Sequence, residues 1–136
     1  MATRKELQDL AQLRLREAEA LFAAGFYDGC VYLCGYVVEL ALKAVICATL
    51  AVSEYPDRPR AFRTHDFDEL RLLAGLREEI TNASPALLQN WSIATQWKPD
   101  WRYEPAGSYS EAQAGIVLKA IKADPDGVLK YLFHRW

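Results

Sequence analysis

Between Arg4 and Ala24 the residues Leu7, Leu10, Ala11, Ala18, Leu21 and Phe22 recur at intervals of three and four, the spacing that lines one face of an α-helix. Gly25 ends this element. Arg14 falls on the same stripe, so the pattern predicts a guanidinium in the buried face that needs a partner or a wet cavity, with Glu39 and Lys43 of the next element as expected partners. Phe26 to about Leu50 is apolar nearly all round, which marks a central helix packed on several sides. Within it Tyr32, Tyr36, Glu39 and Lys43 recur at four, three and four and form one polar-tipped strip. The strip is expected to face either the Arg14 side of the first helix or a subunit interface.

The stretch from Ser53 to Thr64 carries two prolines and three arginines without periodicity and reads as a loop. Asp66, with Glu69 three residues later, predicts a capping box for a helix whose apolar face is Phe67, Leu70, Leu73, Ala74 and Ile80. Ser84 before Pro85 is a second helix start, and that helix carries Leu87, Leu88, Trp91 and Ala94 and stops before Pro99. After an aromatic and charged loop from Trp97 to Gly107, Ser108 with Glu111 or Ser110 with Gln113 caps a helix through Ile116, Val117, Ala120 and Ile121. Asp124-Pro125 interrupts, and Val128 to Trp136 forms a last short helix. Every periodic segment is helical, so the expected fold is all-α, an antiparallel up-down four-helix bundle with one or two short extra helices, in one domain spanning 1–136.

Composition narrows the function classes. With 136 residues, of which 51% are hydrophobic and 25% charged, the chain is the size of one ordinary domain and can bury a sizeable core. The formal charge of -2 supplies no global field for a polyanion, so no long duplex DNA is expected as a partner and any phosphate site must be local. Cys30, Cys34 and Cys47 sit in one apolar segment, which is no disulfide framework and points to a reducing, cytoplasmic setting. The N-terminal sequence lacks the apolar run of a signal peptide, and Asp28, Glu39 and Lys43 interrupt the longest hydrophobic stretch, so no membrane association is expected. Glycine-rich phosphate loops and a four-ligand Cys/His set are lacking, so no cofactor and no metal are expected.

Two constellations carry chemistry. Arg60 and His65 have the spacing Arg-x-x-x-x-His, and an arginine with a near-neutral histidine suffices in chemical terms for metal-free RNA cleavage: the histidine moves the 2′-hydroxyl proton while the arginine neutralises the phosphorane. Set against this, His65 precedes a helix cap and a structural role there is the commoner one. Trp97, Lys98, Trp101, Arg102 and Tyr103 interleave bases and aromatics, a set that can stack a nucleobase and hold a phosphate, or simply close one end of the bundle with Arg102 paired to an acid such as Glu39.

Several segments, taken in order, resemble the HEPN family, the higher eukaryotes and prokaryotes nucleotide-binding domain. They are Ala20-Leu21-Phe22, Gly25-Phe26-Tyr27, Glu39-Leu40-Ala41-Leu42-Lys43-Ala44, Thr64-His65-Asp66-Phe67 with Leu70, and Arg102-Tyr103. The resemblance implies a helical bundle, commonly dimeric, that binds or acts on nucleotides or RNA, often beside a minimal nucleotidyltransferase in a toxin–antitoxin or defence system. It also implies that active relatives are metal-independent ribonucleases with an Arg-x4-6-His motif. On this basis the chain is expected to be a homodimeric binding module rather than an enzyme, with Glu39, Lys43, His65, Arg102 and Tyr103 taking a nucleotide or short single-stranded RNA. The alternatives are an endoribonuclease using Arg60 and His65, and a purely structural partner of a nucleotidyltransferase.

Overall fold

The structure is a computed structural model that describes residues 2–136. Its first helix, α1 (Arg4–Ala23), opens on a reciprocal capping box: the Glu6 amide donates to Thr3 Oγ1 at 3.1 Å and the Thr3 amide to Glu6 Oε2 at 2.7 Å. Gly25 at φ +84° reverses the chain at once, a backbone conformation other residues adopt only with strain, and α2 (Tyr27–Thr49) returns along α1. Ala11 and Ala18 are fully buried between them, and their small side chains let the two helices lie close.

The remaining elements wrap α2. They are α3 (Phe67–Leu73), α4 (Arg77–Thr81), α5 (Pro85–Ala94), α6 (Glu111–Lys122) and α7 (Val128–Phe133), with 3-10 turns at Arg60–Phe62 and Pro99–Tyr103. Among the described residues there is no strand, and the all-helical bundle agrees with the class read from the sequence. By length and composition α2 could cross a bilayer, yet 72% of its most apolar window is buried against its neighbours. Its three cysteines are buried thiols. The Cys34 thiol is held protonated, pushed up first by its hydrogen bond to the Cys30 sulfur and then by burial, which leaves it inert.

The short elements are more numerous than the periodicity predicts, because the helix expected to run from Asp66 past Ile80 is two. Gly75 at φ +74° breaks it, and Leu70 and Ile80 still reach the same core from α3 and α4. The cap of α3 also differs: the Glu69 amide donates to Asp66 Oδ1 at 3.0 Å, but the Glu69 carboxylate takes the Thr64 hydroxyl instead of reaching back to the Asp66 amide. The caps of α5 and α6 are Ser84 before Pro85 and, of the two options for α6, Ser110 with Gln113.

Arg14 corrects the sequence reading. Its guanidinium pairs with Glu17 on its own helix at 2.7 Å, with about a third of the side chain (34%) exposed, and it joins no network with Glu39 or Lys43. Helical spacing places its Cα over the core, but the long stem carries the charge out to water.

Trp97, after α5, is seated on α2 where Gly35 leaves a notch. A Cβ built on Gly35 would lie 2.0 Å from the indole Cδ2, inside any tolerable contact. Tyr32, Tyr36 and Phe67 close around the same indole with ring centroids 6.0, 4.9 and 5.8 Å away. In an ordinary helix interior Gly→Ala stabilises by up to about 1 kcal/mol. Here Gly35→Ala is expected to destabilise by about 1–3 kcal/mol through the displaced indole. Urea unfolding measures it, and an unchanged or raised midpoint would contradict the packing.

Candidate functional site

The polar strip of α2 faces neither Arg14 nor empty solvent; it is covered by the segments that precede α3 and follow α5. At its centre Glu39 is only 3% exposed. Its Oε1 accepts from Lys43 Nζ at 2.9 Å and lies 2.6 Å from His65 Nδ1. An ammonium can only donate, so the oxygen it shares is an acceptor, and His65 Nδ1 must carry the proton that completes the second bond. In the neutral ring this leaves the other nitrogen, Nε2, as the acceptor, on a side chain that is more than half (57%) exposed. Glu39 Oε2 is buried with no hydrogen-bond partner among the described residues.

Lys43 is fixed from its other side. Its Nζ lies 5.2 Å from the centroid of the Tyr55 ring, and the Tyr55 hydroxyl donates to the Phe62 carbonyl at 2.7 Å. Burial pushes the Tyr55 phenol up to about 12, so it stays a donor throughout the neutral range. The loop that carries Tyr55 is in turn tied to the start of α1: the Arg4 amide donates to the Ser53 carbonyl at 2.7 Å and the Tyr55 amide to the Ala2 carbonyl at 2.9 Å. His65 is held on the far side of this loop, where the Asp66 amide donates to Thr64 Oγ1 at 3.0 Å and Asp66 caps α3.

His65 opens onto a cleft of about 400 Å³ shared with Phe67, Thr95, Trp97, Lys98, Pro99 and the carboxylates of Asp66 and Asp68. Both acids are occupied, Asp66 by its cap and Asp68 by Arg71 at 3.6 Å, whereas Lys98 forms no ion pair among the described residues. Arg60 stands exposed in its 3-10 turn and does not line this cleft. Spacing therefore brings His65 to the site and leaves its sequence partner outside.

Arg102 and Tyr103 lie at the other end of the strip. The Arg102 guanidinium stacks 4.7 Å from the centroid of the Tyr103 ring, and Arg102 lines a neighbouring hollow of about 290 Å³ with Asp28, Tyr32, Trp101 and Tyr109. Arg102 pairs with no acid among the described residues, so the expected bond to Glu39 is not made. The two ends communicate through Tyr36, whose hydroxyl bonds that of Tyr32 at 3.1 Å. That bond, then burial and the carboxylate of Glu39, push Tyr36 up to about 12, and the charge of Arg102 opposes them.

Asp28 anchors the connection into α6 by accepting from the Gly107 and Tyr109 amides at 2.6 and 2.9 Å. Asp28, Tyr55, Thr95 and the seating of Trp97 escape a reading by periodicity; Gly35, a small residue in an apolar helix, was the signal available for the last. No group of three or more His, Cys, Asp or Glu side chains placed to hold a metal ion is found among the described residues.

The family model of the HEPN domain matches residues 5–123. The chain belongs to the HEPN domain family. Comparisons with curated proteins and with solved structures return no match. In general terms a HEPN domain is a nucleotide- or RNA-related module, and the matched span runs from α1 to the end of α6, so it includes the whole α2 strip, His65 and the Trp97–Tyr103 segment.

Removing the shared carboxylate deprives half-buried Lys43 and the more exposed His65 of their common acceptor. Glu39→Ala is expected to lower the stability of this HEPN domain by about 1.5–3 kcal/mol, and Glu39→Gln, which keeps an acceptor without its charge, by less. Urea midpoints of the two variants check this, and a Glu39→Ala midpoint equal to that of the unsubstituted protein would contradict it.

Proposed function

We propose that this HEPN domain is a binding module for a nucleotide or a short single-stranded RNA, taken at the cleft beside His65. The observation that carries the reading is the shared Glu39 oxygen. It engages His65 Nδ1, which in the neutral ring leaves Nε2 as an acceptor on a residue lining the cleft, and Lys98, which forms no ion pair among the described residues, lines the same cleft. A ribose hydroxyl can donate to Nε2 while Lys98 takes the phosphate. The indole of Trp97 gives the cleft an aromatic wall. The near-neutral charge of the whole chain suits a ligand with few phosphates.

A ribonuclease reading draws on the same histidine, because an imidazole oriented by a carboxylate is the usual form of a general base. In that reading Lys98, not Arg60, is the cation beside the reacting phosphate.

Equilibrium binding of ATP, GTP and a short single-stranded RNA tests the proposal. The folded protein is expected to bind at least one of them, and His65→Ala and Lys98→Ala are each expected to weaken it about tenfold, the cost of one charged or well-placed hydrogen bond. No binding at millimolar ligand, or binding indifferent to both substitutions, would overturn it. Incubation with the RNA separates the second reading, since cleavage that survives His65→Ala removes His65 as the base.

A further inference from the structure

The Trp97 indole is a wall common to two hollows. One is the His65 cleft. The other is a chamber of about 210 Å³ lined also by Val31, Gly35, Ala94, Trp101, Tyr109 and Val117. Whole small-molecule sites run to about 300–1,000 Å³, so this chamber suits one ring system and not an entire nucleotide.

Its chemistry is specific. Trp97 is 5% exposed, yet its indole Nε1 has no hydrogen-bond partner among the described residues. A buried donor left unpaired is costly, and native structures seldom tolerate one without a reason. The lining is largely apolar and aromatic, and its residues carry few polar groups besides the Gln96 and Gln113 amides, the Tyr109 hydroxyl and the Trp101 indole N–H. One Gln113 amide group is already engaged, since its Oε1 accepts from the Ser110 amide at 2.8 Å. A planar heteroaromatic ring matches this lining: its faces meet Trp101, Tyr109 and the aliphatic walls, and an acceptor on its edge takes the indole N–H.

We propose that the chamber is a nucleobase subsite, in which Trp97 donates its indole N–H to the edge of the base while the ribose and phosphate extend around the indole toward His65 and Lys98. This rests on the nucleotide-binding reading above and adds where the base goes and which group recognises it. A free nucleotide and one residue of a single-stranded RNA both present such a base, and the recognising chemistry is the same.

The experiment follows the indole N–H resonances of the 15N-labelled protein, with that of Trp97 assigned by its loss in Trp97→Phe. AMP, GMP and ribose 5-phosphate are the probes. AMP or GMP is expected to move the Trp97 resonance downfield, as a new hydrogen bond does, whereas ribose 5-phosphate leaves it in place and perturbs only the His65 side. Ile116→Trp places bulk at the chamber from a side chain that is 55% exposed, so it leaves the core intact. It is expected to weaken AMP and GMP by about tenfold or more, the worth of a stacked base, without changing the affinity for ribose 5-phosphate. Nucleotide binding with an unmoved Trp97 resonance, or binding indifferent to Ile116→Trp, overturns the subsite and leaves the binding reading standing. No binding of any of the three probes, with the fold intact, overturns both.

Discussion

A helix that is apolar around nearly its whole circumference has to be covered on every side, and α2 imposes that requirement on the rest of the chain. Its buried positions run from Cys30 to Cys47, and α1, α3, α5, α6 and α7 supply the cover. The covering elements differ in how regular they need to be. Along the apolar faces helices suffice, whereas along the strip that carries Glu39 the cover must bring hydrogen-bond donors, because a desolvated carboxylate without partners costs several kcal/mol. Irregular chain helps meet that need: His65 comes to Glu39 from the loop before α3, and Tyr55 of the same loop stands against Lys43, the other partner of that carboxylate.

Seen this way, the functional region is where the packing rule of α2 changes. Glu39 and Lys43 are set by one turn of helix, and their positions are as rigid as the core behind them. His65 inherits that rigidity through a single 2.6 Å bond and needs no regular structure of its own. Gly35 does the equivalent for Trp97, replacing a side chain by the space an indole fills. The result is an oriented imidazole and an oriented indole on either side of one cleft, both mounted on the most buried helix of the protein.

The legibility of these features in the sequence follows their range. Caps and periodicity are local, so the limits of α1, α2, α5 and α6 could be read from the periodicity beginning near Arg4, from Gly25, from Ser84 with Pro85, and from Ser110 with Gln113, while the Thr3 cap of α1 was seen only in the structure. Gly75 was equally local but lay inside a continuous apolar pattern, and periodicity outweighed the break. Arg14 was misplaced because spacing locates a Cα and says nothing of where a long side chain ends. The Glu39–Lys43 pair was visible as a four-residue spacing, whereas the approach of His65 to Glu39 spans 26 residues and no local spacing encodes it. Trp97 against Gly35 is a contact between distant segments that no spacing encodes.

The account turns on which His65 nitrogen holds the proton, since that decides what the cleft offers a ligand. Long-range 1H–15N correlation spectra of the His65 ring at neutral pH read it directly. The neutral ring is expected to be protonated at Nδ1 with Nε2 bare, and to lose that preference in Glu39→Ala, which removes the acceptor. A neutral His65 ring protonated at Nε2 alone, or a tautomer unchanged by Glu39→Ala, would contradict this geometry.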